Sequence, residues 1–527
     1  MIKRITNYKL LITNWIKANR KEAFVLAVIL LIGAFFRLYR IDEYMTFLGD
    51  EGRDAIVVRR LLVNFDPILV GPGTSIGDMY LGPLYYYMMA PALFLANFSP
   101  VGPAVMVALL GVATIFLTWW VAREWFGKLV ALIASLFYAL SPVVIYYSRS
   151  SWNPNIMPFF ALLSIYSIWR VWQKHEFKWL IALGVSFAFV LQSHYLGLLL
   201  APVFGLFWLL TFLAVKNKNE EKSRLFKLSL ISFVVFALLM SPLVLFDARH
   251  GFRNFSAMKK FFTERQTTIS VRPWSGFSKI LPISQKIITR LIDGTNLLVG
   301  LWTSLLLAFG ILLIGARIIS GKDLNKKVKS ALFLLSVWLT VALVGLSVYK
   351  QEIYDHYYGF FFPAPFILLG VIVSTIIKSA KEKIFLLRFP LYLAVFVAFV
   401  FLALVNIRYN PLQYPPNRQL QRTVEVADKI IKESKSWEFN LAVIAERNYE
   451  GAYQYFLEKD GAPLIIIDPQ RADVTITDQL FVVCELPKVM CDPTHNPKAQ
   501  VANFGWSKIE GEWEVGGTTL YKLVHVQ

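Results

Sequence analysis

Charged residues and cysteines are both scarce in this sequence. Of its 527 residues, 17% are charged, 56% are hydrophobic and only 2 are cysteines. So little charge on so hydrophobic a chain excludes an ordinary soluble enzyme. Cys484 and Cys491 both lie near the C-terminus and indicate little about the rest of the chain. A disulfide between them is expected if that region faces an oxidising compartment.

Several long segments contain no ionisable side chain other than tyrosine, among them residues 24–36, 129–146 and 391–405. Such runs reach or approach the ~20 residues that a helix needs to cross ~30 Å of hydrocarbon. The first is not a cleavable signal peptide, because no small-residue cleavage site follows it and further spans come after it. We predict about eleven spans, at residues 22–38, 101–122, 129–146, 155–172, 179–194, 195–215, 229–246, 296–316, 331–349, 358–377 and 389–406.

The net charge of +19 does not indicate nucleic-acid binding, because the Lys and Arg residues lie in short segments between the hydrophobic runs. A nucleic-acid-binding protein gathers them into a stripe on a soluble domain, whereas basic loops are typical of the cytoplasmic side of membrane proteins. This pattern predicts a multi-pass protein of the cytoplasmic membrane, with the N-terminus inside and the C-terminal region outside. The predicted inside segments are all basic; they are residues 1–21, 123–128, 173–178, 216–228, 317–330 and 378–388.

The fold class that follows is an all-α polytopic membrane bundle over residues 1–407, with a small soluble α/β domain outside the membrane over residues 408–527. The apolar stretch 82–98 is short and has Pro-rich ends, which favours a membrane-surface helix over a further span. In the C-terminal domain, periodicity predicts helices at 418–433 and 450–459. Alternation and β-branched residues predict strands at 441–445, 463–467, 474–485 and 518–526.

The most informative polar segment runs Leu-Gly-Asp-Glu-Gly-Arg-Asp-Ala from position 48, in a predicted outer loop rich in Asp and Glu. If a helix starts here, Asp50, Arg53 and Asp54 share one face, and Arg53 would keep Asp50 ionised. A purely structural interpretation also fits, with Asp50 as the N-cap and Glu51 in the first turn.

Further polar groups stand at the predicted outer ends of spans, where ionisable side chains indicate a functional site. Each also has a structural explanation, since Arg149 would snorkel to the interface, His194 would bond inside the core, and the Tyr-rich turns would form an aromatic belt. The groups are Gly82-Pro83-Leu84-Tyr85-Tyr86, Ser141-Pro142, Tyr147-Ser148-Arg149, Trp152-Asn153-Pro154-Asn155, Gln192-Ser193-His194-Tyr195 and Tyr354-Asp355-His356-Tyr357-Tyr358.

The order and spacing of these motifs over residues 20–410 resemble the family-39-like branch of the GT-C glycosyltransferases, which includes protein O-mannosyltransferases and the lipid A aminoarabinose transferase. The matching elements are the acidic pair at 50–51 followed by Arg53 and Ala55, Gly-Pro-Leu-Tyr at 82–85, Ser-Pro and Tyr-Ser-Arg at 141–149, and Gln-x-His-Tyr at 192–195. One departure is that Tyr80-Leu81-Gly82 stands where many relatives carry His or Lys, so a basic contact to the donor phosphate is missing there or comes from elsewhere.

The resemblance implies transfer of a sugar from a polyprenyl-phosphate donor to a hydroxyl acceptor (a lipid, glycan or protein) at the outer face of the membrane. Such a site needs a carboxylate that takes the acceptor proton and cations that hold the phosphate leaving group. We assign Asp50 as the base and Glu51 as a second catalytic residue that positions the acceptor or Arg53. The candidate substrate-binding residues are Arg53, Asp54, Tyr80, Tyr85, Arg149, Asn153, His194, Tyr195, Arg290, Asp355 and His356.

The phosphate contact is expected from Arg149 and from the long basic outer loop 247–293, although attraction to anionic lipid headgroups would explain that loop equally well. The cations of the loop are Arg249, Arg253, Lys259, Lys260, Arg265, Arg272, Lys279, Lys286 and Arg290. No cofactor is indicated, and no complete oxygen cage for a divalent metal is visible, although Asp42, Glu43, Asp50, Glu51 and Asp54 would attract one.

Two other classes of function compete with the transferase. A transporter or lipid flippase would carry ionisable residues near span midpoints and broken helices in related halves. Here the charged groups stand at span ends and no repeat of halves is apparent. A non-catalytic membrane anchor for the C-terminal domain would not need an acidic pair facing basic loops. The sugar, the acceptor and the length of the carrier are not indicated by the sequence.

Overall fold

A computed structural model describes residues 13–74, 79–263, 276–319, 325–350, 352–382 and 384–526. Among these, helices dominate as far as residue 408. In chain order they are α1 (Arg20–Leu38), α2 (Ile41–Tyr44), α3 (Gly49–Asn64), α4 (Leu84–Leu95), α5 (Val101–Phe126), α6 (Lys128–Leu140), α7 (Pro142–Tyr147), α8 (Met157–Lys174), α9 (Trp179–Ser193), α10 (Ala201–Val215), α11 (Asn219–Arg249), α12 (Arg253–Thr263), α13 (Phe277–Leu291), α14 (Leu297–Ile319), α15 (Lys326–Ser347), α16 (Pro363–Lys381) and α17 (Phe385–Arg408).

The apolar helices make this a multi-pass membrane protein. Within the described ranges, 7 helices are long and apolar enough to cross a membrane. Shorter apolar helices include α4, α6 and α9. Each span predicted from the sequence coincides with a helix. The count of about eleven crossings stays a prediction, because α6 has only 13 residues and extends for about 20 Å.

The predicted third span is broken near its outer end. Pro142 begins α7 directly after Ser141, since a proline has no N–H to continue the helix and its ring clashes with the preceding turn. The hydroxyl of Ser141 donates to the carbonyl oxygen of Leu291 at 2.6 Å. The break therefore ties the third span to the end of α13.

The membrane domain packs around a core rich in aromatic residues. Trp125, Trp169 and Trp338 belong to one large buried cluster that joins helices from both halves of the domain. Burying one such side chain contributes roughly 2–3 kcal/mol. The predicted surface helix at 82–98 is confirmed as a helix, α4. Its buried side chains belong to a second cluster, separate from the one that contains the three tryptophans.

The C-terminal domain is a small α/β unit, as predicted. Its sheet has strands β1 (Asn440–Ile444), β2 (Gln479–Cys484), β3 (Ser507–Val515) and β4 (Thr518–His525) in the order β1-β2-β4-β3. Strands β1 and β2 are parallel, and the other pairs are antiparallel. Its helices are α18 (Gln419–Ser434), α19 (Gly451–Lys459), α20 (Ala472–Thr475) and α21 (Ala499–Phe504).

Two predicted strands are wrong in whole or part. Residues 463–467 make only an isolated bridge from Leu464 to Phe439. Strand pairing stops there because the Nδ2 of Asn440 donates to the carbonyl oxygen of Ile465 at 2.8 Å, which occupies that oxygen. The expected strand 474–485 is reduced to β2, since its first residues form the short helix α20. Strand β3 was not predicted, because its alternating glutamates and half-exposed edge give a weak apolar signal.

The C-terminal domain shares its core with the first outer segments of the membrane domain. One buried cluster contains residues of α2–α5 together with residues of α18, α19 and the sheet. Phe47, for example, packs with ring centroids 6.2 Å from Tyr455 and 5.8 Å from Phe456. The two domains are therefore docked through apolar side chains. The predicted disulfide is present between Cys484 and Cys491, whose Cα atoms are 6.1 Å apart.

Candidate active site

Helix α3 carries the acidic pair, and its first turn is capped by Glu51. Residue Leu48 has extended backbone angles and is the N-cap. The Oε2 of Glu51 accepts the Leu48 N–H at 3.0 Å, which satisfies one of the unpaired donors at the helix start. The structural interpretation of Asp50 as the N-cap is therefore wrong, since Asp50 is the second helical residue.

Arg53 holds the two aspartates on one face of α3, as predicted. Its Nη1 donates to the Oδ1 of Asp50 at 2.8 Å. Its Nε and Nη2 donate to the Oδ1 of Asp54 at 3.0 and 2.7 Å. The hydroxyl of Tyr86 donates to the same Asp54 oxygen at 2.9 Å. This arrangement links the acidic motif to α4.

Only one of the three carboxylates in this turn is open to solvent. The Asp50 side chain is 41% exposed, whereas that of Asp54 is 0% exposed. Glu51 is buried, and burial raises its pKa to about 7. Among the described residues the Oδ2 of Asp50 has no hydrogen-bond partner. Asp50 is thus the exposed carboxylate of this turn, while those of Glu51 and Asp54 are enclosed.

The C-terminal domain supplies a residue that the sequence did not indicate. The hydroxyl of Tyr449 donates to the Oδ1 of Asp50 at 2.8 Å, across 399 positions of sequence. The Nη1 of Arg53 lies 3.3 Å from the same hydroxyl. Tyr449 stands in the turn between β1 and α19, where no recognisable motif marks it.

A second charged pair lies at the C-terminal end of α13. The Nε of Arg290 donates to the two carboxylate oxygens of Asp355 at 3.1 and 2.9 Å. Its Nη2 and the hydroxyl of Tyr358 also donate to Asp355. No partner is found for the Arg290 Nη1 among the described residues. One Lys of α13 is also committed, since Lys286 donates to the Ile353 carbonyl oxygen at 2.8 Å.

His356 follows Asp355 in the chain and packs among aromatic rings. Its ring lies 4.5 Å from that of Trp152 and 6.0 Å from that of Tyr147. Burial lowers the pKa of His356 to about 4, and the carboxylates of Asp355 and Asp50 partly oppose this effect. The imidazole is therefore neutral near pH 7. The structure thus brings Asp50, His356 and Asp355 into one neighbourhood.

His194 and Tyr195 line the inner side of the same region. The ring of His194 lies 5.9 Å from that of His356, and its Nδ1 accepts the Leu196 N–H at 3.2 Å. The hydroxyls of Tyr195 and Tyr349 are 2.9 Å apart. Both residues are thus engaged in the packing beneath the site.

Arg149 does not offer its guanidinium to a phosphate. The side chain is buried, and Nη1 donates to the Phe36 carbonyl oxygen at 2.6 Å. Its Nη2 donates to those of Tyr39 and Arg40 at 2.8 and 3.3 Å. These are carbonyls at the C-terminus of α1, where a cation is favourable. Both Nη atoms of Arg149 are therefore engaged by main-chain oxygens.

Three further candidates hold the framework together. The Nδ2 of Asn153 donates to the Ser193 carbonyl oxygen at 2.7 Å. The buried hydroxyl of Tyr85 lies 2.6 Å from that of Ser151. The backbone N–H of Tyr80 donates to the side chain of Asn254 at 2.8 Å.

Two of the sequence motifs meet at Gly82. The Oε1 of Gln192 accepts the Leu84 N–H at 3.1 Å. A Cβ atom added to Gly82 would lie 2.1 Å from that oxygen, so a larger residue here would displace the Gln192 side chain. The Gly-Pro-Leu-Tyr and Gln-x-His-Tyr elements are therefore in direct contact.

Two cavities lie along the same helices. The outer cavity, of about 360 Å³, is lined by Arg290, Asp355, Tyr147 and residues of α7 and of the chain after α17. The inner groove, of about 680 Å³, is almost wholly apolar and is bordered by α1, α6, α16 and α17. Because α7 continues from α6, the two cavities stand at opposite ends of one helix pair.

The basic outer loop is only partly described. Arg265 and Arg272 lie outside the described residues. Asp247 anchors α12, since its carboxylate accepts the N–H groups of Asn254 and Phe255 at 2.7 and 3.0 Å. Over the described part of the chain, no group of three or more His, Cys, Asp or Glu side chains is placed to hold a metal. Asp50 and Asp54 instead share the cation of Arg53.

Part of this chain resembles known proteins in sequence. Residues 81–245 match the family model of dolichyl-phosphate-mannose-protein mannosyltransferases. The chain is 25% identical over 209 residues to YkcB of Bacillus subtilis, which is named as a candidate mannosyltransferase. The matched stretch covers 38% of this chain and 28% of that protein.

Solved structures show the fold of the whole chain. The structure of ArnT from Cupriavidus metallidurans bound to undecaprenyl phosphate superposes with a TM-score of 0.59 and 14% identity, covering 97% of this chain and 98% of that one. The structure of the oligosaccharyltransferase AglB from Archaeoglobus fulgidus, in complex with an inhibitory peptide and a dolichol-phosphate, superposes with a TM-score of 0.52 and 13% identity. This match covers 84% of this chain and 64% of that one. The predicted resemblance to the GT-C glycosyltransferases and the predicted fold class are thus confirmed.

Proposed function

We propose that this chain is a membrane glycosyltransferase that moves a sugar from a polyprenyl-phosphate donor to a hydroxyl acceptor, with Asp50 as the general base. The observation that carries the proposal is the exposure of Asp50, because it is the one carboxylate of its turn that is open to solvent. Arg53 and Tyr449 both bind its Oδ1. Its Oδ2 is therefore left to accept a proton.

The chemistry at Asp50 follows from this arrangement. The acceptor hydroxyl attacks the anomeric carbon, and its proton passes to the Oδ2 of Asp50. The bond between the anomeric carbon and the phosphate oxygen breaks, and the polyprenyl phosphate leaves with the electron pair. Because Arg53 also binds Asp54, the cation stays in place while Asp50 is protonated. General-base catalysis of this kind typically contributes 10²–10⁴-fold in rate.

We assign the phosphate contact to Arg290 rather than Arg149. The Arg290 side chain is 38% exposed and lines the outer cavity. Its Nη1 has no partner among the described residues, and Asp355 fixes the orientation of the guanidinium through Nε and Nη2. A planar, always charged guanidinium suits a phosphate leaving group.

The inner apolar groove suits the isoprenoid chain of the donor. The groove lies along α6, and α7, which follows α6 in the chain, lines the outer cavity. We therefore place the phosphate of the carrier at Arg290 and its isoprenoid chain along α6 toward the groove. The two structural relatives hold undecaprenyl phosphate and dolichol-phosphate, which supports a lipid-linked donor here. We place the site at the outer face of the cytoplasmic membrane, because the short basic segments between the predicted spans fall on the opposite side in sequence.

The experiment is a transfer assay on the purified full-length protein in lipid nanodiscs. Polyprenyl-phosphate mannose, glucose and aminoarabinose are offered in turn with an envelope lipid, glycan and peptide fraction. Release of free polyprenyl phosphate is followed by mass spectrometry. Release that depends on both protein and acceptor supports the proposal. Absence of release with every donor, from protein that is folded by thermal melting, would refute it.

A further inference from the structure

The turn between β1 and α19 places two residues of the C-terminal domain against the start of α3. Tyr449 bonds to Asp50, and its neighbour Asn448 accepts the Gly49 N–H at 2.8 Å through Oδ1. The start of α3 is thus held by two consecutive residues of the other domain. Asn448 takes no part in the transferase chemistry described above, and Tyr449 enters it only through its bond to Asp50.

The two backbones approach closely beside this turn. A Cβ atom on Gly52 would lie 2.3 Å from the backbone of Gly451 and Ala452. A Cβ atom on Gly451 would lie 2.3 Å from the Gly49 carbonyl oxygen. Helices α3 and α19 therefore touch main chain to main chain, and this contact requires glycine on both sides.

The turn is also fixed from within its own domain. The Nδ2 of Asn448 donates to the Oε1 of Glu485 at 2.6 Å, and the hydroxyl of Tyr453 donates to the same oxygen at 2.6 Å. Glu450 accepts the Val443 N–H at 3.0 Å. Tyr449 is therefore delivered from a rigid support, which is what a precisely placed hydrogen bond needs.

We propose that Tyr449 is a positioning residue for Asp50, and that the C-terminal domain thereby completes the transferase site. This inference rests on the proposed function. Arg53 alone does not fix the orientation of Asp50, because its Nε and Nη2 are committed to Asp54. The phenol of Tyr449 supplies the second contact on Oδ1. Together the two donors turn Oδ2 toward the acceptor.

The test compares two tyrosines of the same domain interface. Tyr449→Phe keeps the ring and removes the hydroxyl that binds Asp50. Tyr455→Phe is the matched control, since its hydroxyl donates across the interface to the Phe98 carbonyl oxygen at 2.6 Å, away from Asp50. Both variants and the wild-type protein are assayed for kcat, donor KM and melting temperature.

We expect Tyr449→Phe to lower kcat about tenfold, because a misplaced base loses near-attack geometry, with donor KM and melting temperature unchanged. Tyr455→Phe should keep the wild-type kcat. A Tyr449→Phe kcat within twofold of wild type overturns the inference while the proposed function stands. An equal loss of kcat in Tyr455→Phe also overturns the inference, because it shows a general effect of interface hydrogen bonds. An inactive wild-type protein refutes the proposed function and the inference with it.

Discussion

Arg290 binds both carboxylate oxygens of Asp355 through its Nε, at 3.1 and 2.9 Å. The two residues are 65 positions apart, and the helices α14 and α15 lie between them in the sequence. Asp355 is buried, whereas Arg290 faces the outer cavity. The pair thus presents one guanidinium edge outward while its other edge is neutralised.

The first prediction separates the structural role of this pair from phosphate binding. Arg290→Gln leaves the Asp355 carboxylate buried without its cation, so we expect a loss of about 2 kcal/mol of stability, discounted because Arg290 is partly exposed. The double variant Arg290→Gln/Asp355→Asn removes both charges and should recover most of the melting temperature. Its kcat/KM should remain at least about tenfold reduced, because the cation for the leaving group is gone. Recovery of activity along with stability would contradict the phosphate assignment.

A second prediction follows from the buried carboxyl of Glu51, whose folded-state pKa is about 7 against about 4.3 in an unfolded chain. Between these values the folded protein binds more protons, so this group's contribution to stability falls as pH rises from about 4.5 to 7. Glu51→Gln keeps an oxygen that can accept the Leu48 N–H but cannot ionise. We expect it to melt higher than wild type at pH 8 and close to wild type at pH 5. Equal pH dependence of melting in the two proteins would show that Glu51 is not the titrating group.

The sequence predicted the local relationships of this site well. Asp50, Arg53 and Asp54 share a face because helical spacing alone places them there, and the structure confirms it. The contact of Tyr449 with Asp50 could not be predicted from the sequence, since it depends on how the two domains dock. Arg149 was assigned to phosphate because a cation at a span end suggests a ligand. Only the tertiary structure reveals that it binds carbonyls of α1.

For the fold, too, the sequence predicted the helices but not the features that depend on tertiary contacts. Long apolar runs identify helices reliably, because burial in hydrocarbon requires them. The break at Pro142 follows from the proline itself, whereas its docking on α13 depends on the contact of Ser141 with Leu291. The loss of the strand at 463–467 depends on the contact of Asn440 with Ile465. Such contacts join residues that are not neighbours in sequence and leave no periodic signal.

A third prediction concerns the apolar groove. Val28→Trp together with Leu136→Trp places two indole rings in the space lined by both residues. We expect KM to rise at least about tenfold for a long-chain donor, because each excluded methylene costs about 0.8 kcal/mol of burial. A donor with three isoprene units should be affected little. Leu31→Trp is the control, because Leu31 is on the same helix, 69% exposed, and does not line the groove. An equal effect on both donors would exclude the groove as the chain site.

The fourth prediction tests orientation in the membrane. Single cysteines at the exposed positions Asn64, Gln470 and Lys327 are introduced after replacing Cys484 and Cys491 by serine. In intact cells, an impermeant thiol reagent should label the first two and not the third, because the basic loops should face the cytoplasm. Labelling of Lys327→Cys alone would reverse the orientation.

The most direct test of the account is the turnover of Asp50→Asn. Asparagine preserves the shape and still accepts hydrogen bonds from Arg53 and Tyr449, but an amide cannot take a proton near pH 7. Asp66→Asn, at an exposed carboxylate of the same outer segment, is the matched control. We predict that Asp50→Asn keeps the wild-type melting temperature while kcat falls at least about 100-fold, and that Asp66→Asn retains full activity. An Asp50→Asn protein with more than about a third of wild-type turnover would contradict the assignment of Asp50 as the base.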